Sequence, residues 1–233
     1  MYTYLLLNVL TISLPLIFSF HKRLNYYKSW NTFFPAVIIT ATIFITWDIY
    51  FTDIGVWGFN SDYLTGINIG NLPIEEWLFF FCIPYAIVFT YASVKKLVRS
   101  EILLTDAKYI SIGLALILLF IAIYNVDKIY TFITFFSTAL FLIVQTFLFK
   151  PEYMGKFYLS YLIIFLGPFL LVNGILTGSF IKEPVVWYNN NENLGIRIFT
   201  IPVEDFVYGF LLYLMNVTLY EYFGSKFSRF KNA

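Results

Sequence analysis

Gly66-Ile67-Asn68-Ile69-Gly70-Asn71-Leu72-Pro73-Ile74-Glu75-Glu76 returns 129 residues later as Gly195-Ile196-Arg197-Ile198-Phe199-Thr200-Ile201-Pro202-Val203-Glu204-Asp205. The shared pattern is G-I-x-I-x-x-[LI]-P-[IV]-E-[ED]. Self-similarity at a fixed spacing marks a chain built from repeats. Chance can supply one P-x-E-[ED]. It does not readily supply two, each preceded by the same G-I-x-I and each opening an apolar run. Further out the likeness thins. Trp57-Gly58-Phe59-Asn60 has a looser echo in Trp187-Tyr188-Asn189, and Tyr2-Thr3-Tyr4 echoes Tyr130-Thr131-Phe132 at a spacing of 128.

The apolar runs around the motif identify the solvent. Of 233 residues, 60% are hydrophobic and 12% charged, with a mean hydropathy of +0.76. Soluble domains carry roughly 25% charged residues, so lipid surrounds most of this chain. A net charge of +1 leaves no electrostatic footprint for nucleic acid. The single cysteine, Cys82, cannot form an internal disulfide. A spanning helix takes roughly 17–25 residues. Seven runs are candidates: Tyr4–Phe20, Phe33–Phe51, Trp77–Val94, the short Tyr109–Tyr124, Ile129–Phe149, Phe157–Phe180 and Ile201–Phe223.

Basic residues orient these spans. Lys22, Arg23, Lys28, Lys95, Lys96, Arg99, Lys108, Lys150, Lys156, Lys226, Arg229 and Lys231 fall on one side, and only Lys128, Lys182 and Arg197 on the other. That asymmetry puts the N-terminus outside and the C-terminus in the cytoplasm; the expected location is the plasma or inner membrane of a bacterial-type cell. His21-Lys22-Arg23 follows the first apolar run instead of preceding it, so that run reads as a retained helix and not a signal peptide. The expected fold is all-α and integral to the membrane, with seven transmembrane helices. Residues 1–100 form one three-helix repeat, 101–128 a linking helix, and 129–233 a second, parallel repeat. Parallel repeats hold equivalent groups at equal depth.

Each motif sits where a helix enters the membrane from outside. A plain reading makes Pro73 and Pro202 first helical residues and the acids partners of the helix dipole. A helix start needs one acid, however, not a duplicated pair, and acids at membrane depth default to a functional reading. Adjacent helical positions point about 100° apart. Glu75 therefore shares a face with Phe79 and Cys82, and Glu76 with Phe80 and Ile83. Glu204 lines up with Tyr208, and Asp205 with Gly209, Leu212 and Asn216. Asp48, near the outer end of the second span, is either a rim acid in water or a member of the same layer; the sixth span offers Asn173-Gly174 there.

With 28 Phe, 19 Tyr and 5 Trp, this layer lies over aromatic faces that attract positive charge. A protonated acid and an ionised partner there can protonate an alkene and later remove a different proton. The candidate acid–base residues are Glu75, Glu76, Glu204 and Asp205, with Glu75 and Glu204 foremost. Candidate substrate contacts are Asp48, Trp57, Asn60, Asn173, Trp187 and Tyr208. Gly66, Gly195, Pro73 and Pro202 shape the motifs.

The doubled W-x-x-N … P-x-E-[ED] pattern in a seven-span chain resembles the non-flavin lycopene β-cyclases, in the form that fuses both halves. Pro73-Ile74-Glu75-Glu76, Pro202-Val203-Glu204-Asp205 and Trp57-Gly58-Phe59-Asn60 carry the likeness, one half per repeat. It implies an isomerase of the intramolecular lyase type. Such an enzyme closes the linear ends of lycopene to β-ionone rings, giving γ- and β-carotene, with no cofactor and no metal. Its partners are the bilayer, lycopene and other membrane enzymes of carotenoid biosynthesis. The second copy departs in ending at Asp205 and in its shorter Trp187-Tyr188-Asn189.

Several other classes fail on specific residues. A retinal photoreceptor needs a Schiff-base lysine in its last span, and Ile201–Phe223 has none. A prenyltransferase needs Asp-rich metal motifs, which Asp48 and Asp53 do not make. A flavin or nicotinamide enzyme needs G-x-G-x-x-G between a strand and a helix. A proton-coupled transporter and a non-catalytic carotenoid-binding protein remain as alternatives. His21 is the single histidine and makes no metal site. Asn8, Gln145 and Asn216 read as interhelical hydrogen-bond partners, Cys82 as a small core residue, and Glu221 as a solvated helix end.

Overall fold

The computed structural model describes residues 2–99, 106–149 and 152–231. Lys150 and the boundary between residues 100 and 101 lie outside the described residues, as do the side chains of Arg229 and Lys231. The long helices are α1 (Thr3–Phe18), α2 (Trp30–Asp53), α3 (Ile74–Leu97), α4 (Ala107–Tyr124), α5 (Ile129–Leu148), α6 (Met154–Leu176) and α7 (Val203–Lys231). Each expected run falls on one of them. Among the described residues, five, α2 to α6, are long and apolar enough to cross a membrane. Helix α1 is apolar but has 16 residues, and α7 carries more polar groups along its 29.

Two boundaries moved for local reasons. The sixth run ends at Leu176 instead of Phe180, because Gly178 turns the chain at φ +112°. The two motif prolines are not first helical residues. Pro73 and Pro202 sit one residue earlier, in short strands, and Pro73 is extended at φ −67°, ψ 150°.

The helices pack in a criss-cross. Helix α1 lies on α3 and α5 lies on α7, while α2 reaches across to α7 and α6 to α3; α4 flanks α5 and α6. Phe33, Val37, Tyr91, Leu142, Phe157, Tyr213 and Val217 fill the interior. Lipid offers helices little hydrophobic reason to associate, so packing and interhelical hydrogen bonds hold the bundle. Ser19 meets Tyr85 at 2.6 Å, Ser111 meets Tyr158 at 2.7 Å, and Ser160 meets Tyr213 at 2.6 Å. Asn8 donates to the Glu75 carbonyl at 2.8 Å, and Gln145 to the Tyr153 hydroxyl at 3.1 Å. Asn216 does not join helices: it donates to Leu212 O one turn back on its own helix. Glu221 is no free helix end either, since it accepts from Tyr91 at 2.7 Å and Lys95 at 2.5 Å and ties α7 to α3.

One end of the bundle is basic. Lys96 donates to Leu24 O at 2.8 Å, so the Lys22–Lys28 loop and the end of α3 lie together. The opposite end carries the strands. Strands β2 (Asn68–Ile69) and β3 (Leu72–Pro73) form one antiparallel hairpin, and β5 (Arg197–Ile198) and β6 (Ile201–Pro202) another. Their hydrogen bonds match at the spacing of 129: Ile74 N to Ile67 O at 2.8 Å, and Val203 N to Ile196 O at 3.0 Å. Strand β1 (Trp57–Phe59) pairs antiparallel with β4 (Val186–Tyr188), so the two long loops cover the same end together. Asn60 and Asn189 close equivalent turns, accepting from Asp62 N at 3.0 Å and Asn191 N at 3.1 Å.

The hairpins need left-handed backbone. Gly66 and Gly195 take φ +83° and +70°, and Gly70 takes +67°; the position matching Gly70 is Phe199, at +56°. A left-handed non-glycine residue costs roughly 1–2 kcal/mol, and the Phe199 ring is 82% exposed and repays little of it. Phe199→Gly is therefore expected to raise the apparent melting temperature in detergent, and Gly70→Phe to lower it. Thermal unfolding followed by circular dichroism checks both.

Candidate active site

The two acids of each motif part company at the first turn of their helix. Glu75 is fully buried, and its Oε1 accepts the backbone N–H of Thr65 at 2.6 Å. Glu204 repeats this with Leu194 N at 2.8 Å and also accepts from Thr131 Oγ1 at 2.7 Å. Both side chains turn back onto the hairpin that precedes their helix. Glu76 and Asp205, about 100° further round, face the other way, into an apolar cavity of about 580 Å³. The structure turns Glu75 and Glu204, expected foremost, onto the hairpins, and their neighbours Glu76 and Asp205 into the cavity.

Glu76 meets a second carboxyl. Its Oε2 accepts from the Tyr4 hydroxyl, and the carboxyl lies close beside that of Asp48. Asp48 Oδ1 accepts from the Trp57 indole N–H. Asp48 Oδ2 is buried and finds no N–H or O–H donor. Two carboxyls this close in a buried site do not both ionise, so the pair holds a proton. Asp48 is no rim acid, being 2% exposed.

Asp205 is surrounded differently. Its Oδ1 accepts from Tyr130 at 2.6 Å, and its Oδ2 from Asn173 and Tyr188, each at 2.8 Å. Three donors on one carboxyl is the environment of an ionised carboxylate. Burial, and then the Asp205 carboxylate, hold the Tyr188 phenol well above its usual range, so it stays a donor. Asn173 stands beside Asp205 as Asp48 stands beside Glu76, giving an amide N–H where the other cluster needs a shared proton.

Aromatic rings knit the two clusters together. Trp57 packs on Tyr130 at 5.1 Å between ring centroids and on Tyr188 at 6.2 Å. Tyr208 lies against Phe44 at 5.0 Å, Trp47 at 5.3 Å and Trp57 at 6.0 Å. Tyr208 lines the cavity on the Asp205 side of α7, not beside Glu204 as its spacing of four suggested. The rest of the wall is apolar, from Leu7, Phe79, Ile83, Ile87, Val172 and Leu212 among others.

Of the expected substrate contacts, Asp48, Trp57, Asn173 and Tyr208 line the cavity. Asn60 and Trp187 do not. Asn60 donates to Glu183 at 3.2 Å in the loops at the strand end of the bundle. Trp187 is 44% exposed and lies over Gly58, where a Cβ would come within 2.3 Å of its ring. In the register of the strands Trp187 thus replaces Gly58, not Trp57. The donors Tyr4, Tyr130 and Tyr188 were not among the expected site residues. The signal for the first two was the echo at the chain start, but its register was off: Tyr4, not Tyr2, is the counterpart of Tyr130. Among the described residues no cluster of His, Cys, Asp and Glu could hold a metal ion.

A protein-family model described as lycopene cyclase matches residues 1–94 and 127–223. The unmatched stretch between them contains α4. No curated protein and no solved structure matches.

Because glutamine keeps the Oε1 acceptor, Glu75→Gln and Glu204→Gln are expected to fold with stability within about 1 kcal/mol of the parent. The alanine variants leave Thr65 N or Leu194 N unpaired and are expected to lose about 1–3 kcal/mol. Apparent melting temperatures of the four proteins, side by side, decide between an anchor and a dispensable acid.

Proposed function

Because the chain belongs to the lycopene cyclase family, we propose that it closes the linear ends of lycopene to β-ionone rings by acid–base chemistry alone, giving γ- and then β-carotene. One observation supports this above the others. A carboxyl pair that must share a proton and a carboxylate held by three donors face one apolar, aromatic cavity.

In the proposed sequence the Asp48–Glu76 pair gives its proton to the terminal trisubstituted alkene and leaves a tertiary cation. The π pair of an alkene further along the chain attacks that cation. The ring C–C bond forms and the charge moves to a ring carbon. Asp205 takes the neighbouring ring proton, and the C–H electrons become the ring alkene. One proton enters and one leaves, so no electrons are exchanged with a carrier. The site resets when the proton passes back to the pair. The faces of Trp57, Tyr130, Tyr188 and Tyr208 stabilise the cation, and the negative carboxyls do so through a medium of low dielectric. Glu75 and Glu204 position the hairpins and do not touch the substrate.

The architecture follows the same reading. Seven spans carry two parallel repeats, 1–100 and 129–233, joined by a helix in 101–128 that only returns the chain to the starting side. The gap between the two family-model matches supports this division. The shared basic end of the bundle supports a cytoplasmic C-terminus and an outer acid layer in a cell membrane. The two repeats make one site, not two, because both acid clusters meet in a single cavity.

The test is pigment chromatography from a lycopene-accumulating bacterial host expressing this chain. Ring-bearing carotenes are expected. Lycopene left unchanged, with the protein in the membrane, would falsify the assignment. In the same host Glu76→Gln, Asp48→Asn and Asp205→Asn are expected to lose roughly 10²–10⁴-fold in turnover, the usual worth of a general acid or base. Glu75→Gln is expected to keep most of its activity. Equal loss in Glu75→Gln and Glu76→Gln would overturn the division of roles.

A further inference from the structure

The shape of the cavity indicates where the polyene comes from. On α1 the lining positions Tyr4, Leu7, Thr11 and Leu14 recur every three or four residues, one face of the helix. At 1.5 Å per residue the stripe is about 15 Å long. On α3 the stripe from Glu76 to Thr90 runs about 21 Å. The carboxyls lie at one end of this groove, under the β1–β4 pairing. That end is shut by Trp57, Phe59, Val186 and Tyr188, which line the cavity from the strands themselves.

The flank is open. Four cavity-lining residues are also exposed: Leu10 at 59%, Leu14 at 63%, Leu171 at 57%, and Pro168. Leu10 and Leu14 stand on α1, and Leu171 on α6. Helix α1 and the Met154–Ile164 part of α6 both pack on α3, and α6 meets α1 only lightly, through Leu170–Leu176, so the cavity opens as a slit on the flank between them. The edges of the slit are locally irregular. Pro168, itself a lining residue, lies in the π turn Phe165–Phe169 of α6, and Pro15 lines the groove from α1. Widened turns of this kind gather at functional sites. The slit is rimmed by leucines and prolines with no charge, so it faces lipid and not water.

We propose that this slit between α1 and α6 is where the polyene passes between the bilayer and the carboxyls, one acyclic end per visit. The proposal rests on the cyclase reading above. A polyene dissolved in the bilayer reaches the acids sideways, without crossing the aqueous loops. Only one end reaches the closed end of the groove at a time, and the trailing chain stays in the slit. The second end reacts after the molecule has left, turned in the lipid and returned.

The test fills the slit with indole. Leu10→Trp/Leu171→Trp and, separately, Leu14→Trp change residues that already face lipid, so the fold has room for them. Leu116→Trp, on the 60% exposed outer face of α4, is the control. Purified proteins in lipid vesicles are given lycopene, and initial rates are read by chromatography beside apparent melting temperatures. The slit variants are expected to lose roughly tenfold or more in kcat/KM, with melting temperatures like the parent and Leu116→Trp at the parental rate. Slit variants that convert lycopene as fast as Leu116→Trp overturn the slit while leaving the cyclase intact. A parent that does not convert lycopene overturns the cyclase reading itself.

Discussion

A buried carboxyl that reaches back ten residues to a backbone N–H fixes each hairpin on the helix that follows it. The bond is short and shielded from water, which makes it one of the stronger contacts available to a loop. Its effect is geometric. With Glu75 and Glu204 committed to the hairpin, the helical turn leaves Glu76 and Asp205 no direction but inward. The same anchoring holds the long loops over the end of the bundle, where β1 and β4 find each other. A motif with two adjacent acids is therefore a single device: one residue sets the loop, and the next enters the cavity.

The two halves use this device to different ends. Beside Glu76 stands Asp48, and beside Asp205 stands Asn173. One atom type separates the neighbours, and it decides where a proton is needed. A buried acid–acid pair holds a proton between its members. An amide–carboxylate pair is satisfied without one. Two similar halves thus build unlike partners, which symmetric halves could not.

The long apolar helices and the doubled motif were legible because length and period carry them along a single chain. Which of two neighbouring acids turns inward was not. Glu75 and Glu76 share a helix turn, and the choice is made by Thr65 N, a backbone group no side-chain pattern reports. Tyr4 and Tyr130 were misregistered because the first helix stands 72 residues before its acid in one half and 75 in the other. The tryptophan echo misled for a similar reason. Trp57 is buried and donates to Asp48, whereas Trp187 covers the glycine beside it from outside. Tyr208 was visible as a candidate, but its role in an aromatic cage depends on Phe44 and Trp47 from α2, which lies far from it in sequence.

The three-residue ladder between β1 and β4 has a chemical consequence beyond holding two loops together. A tertiary carbocation has two fates near a carboxylate: it loses a proton and becomes an alkene, or it captures water and becomes an alcohol. The strands close one end of the cavity with Trp57, Phe59, Val186 and Tyr188. In the proposed cyclisation this short lid keeps hydroxide equivalents from the ring carbon, so that the product is a hydrocarbon and not an alcohol, without touching the step that forms the ring.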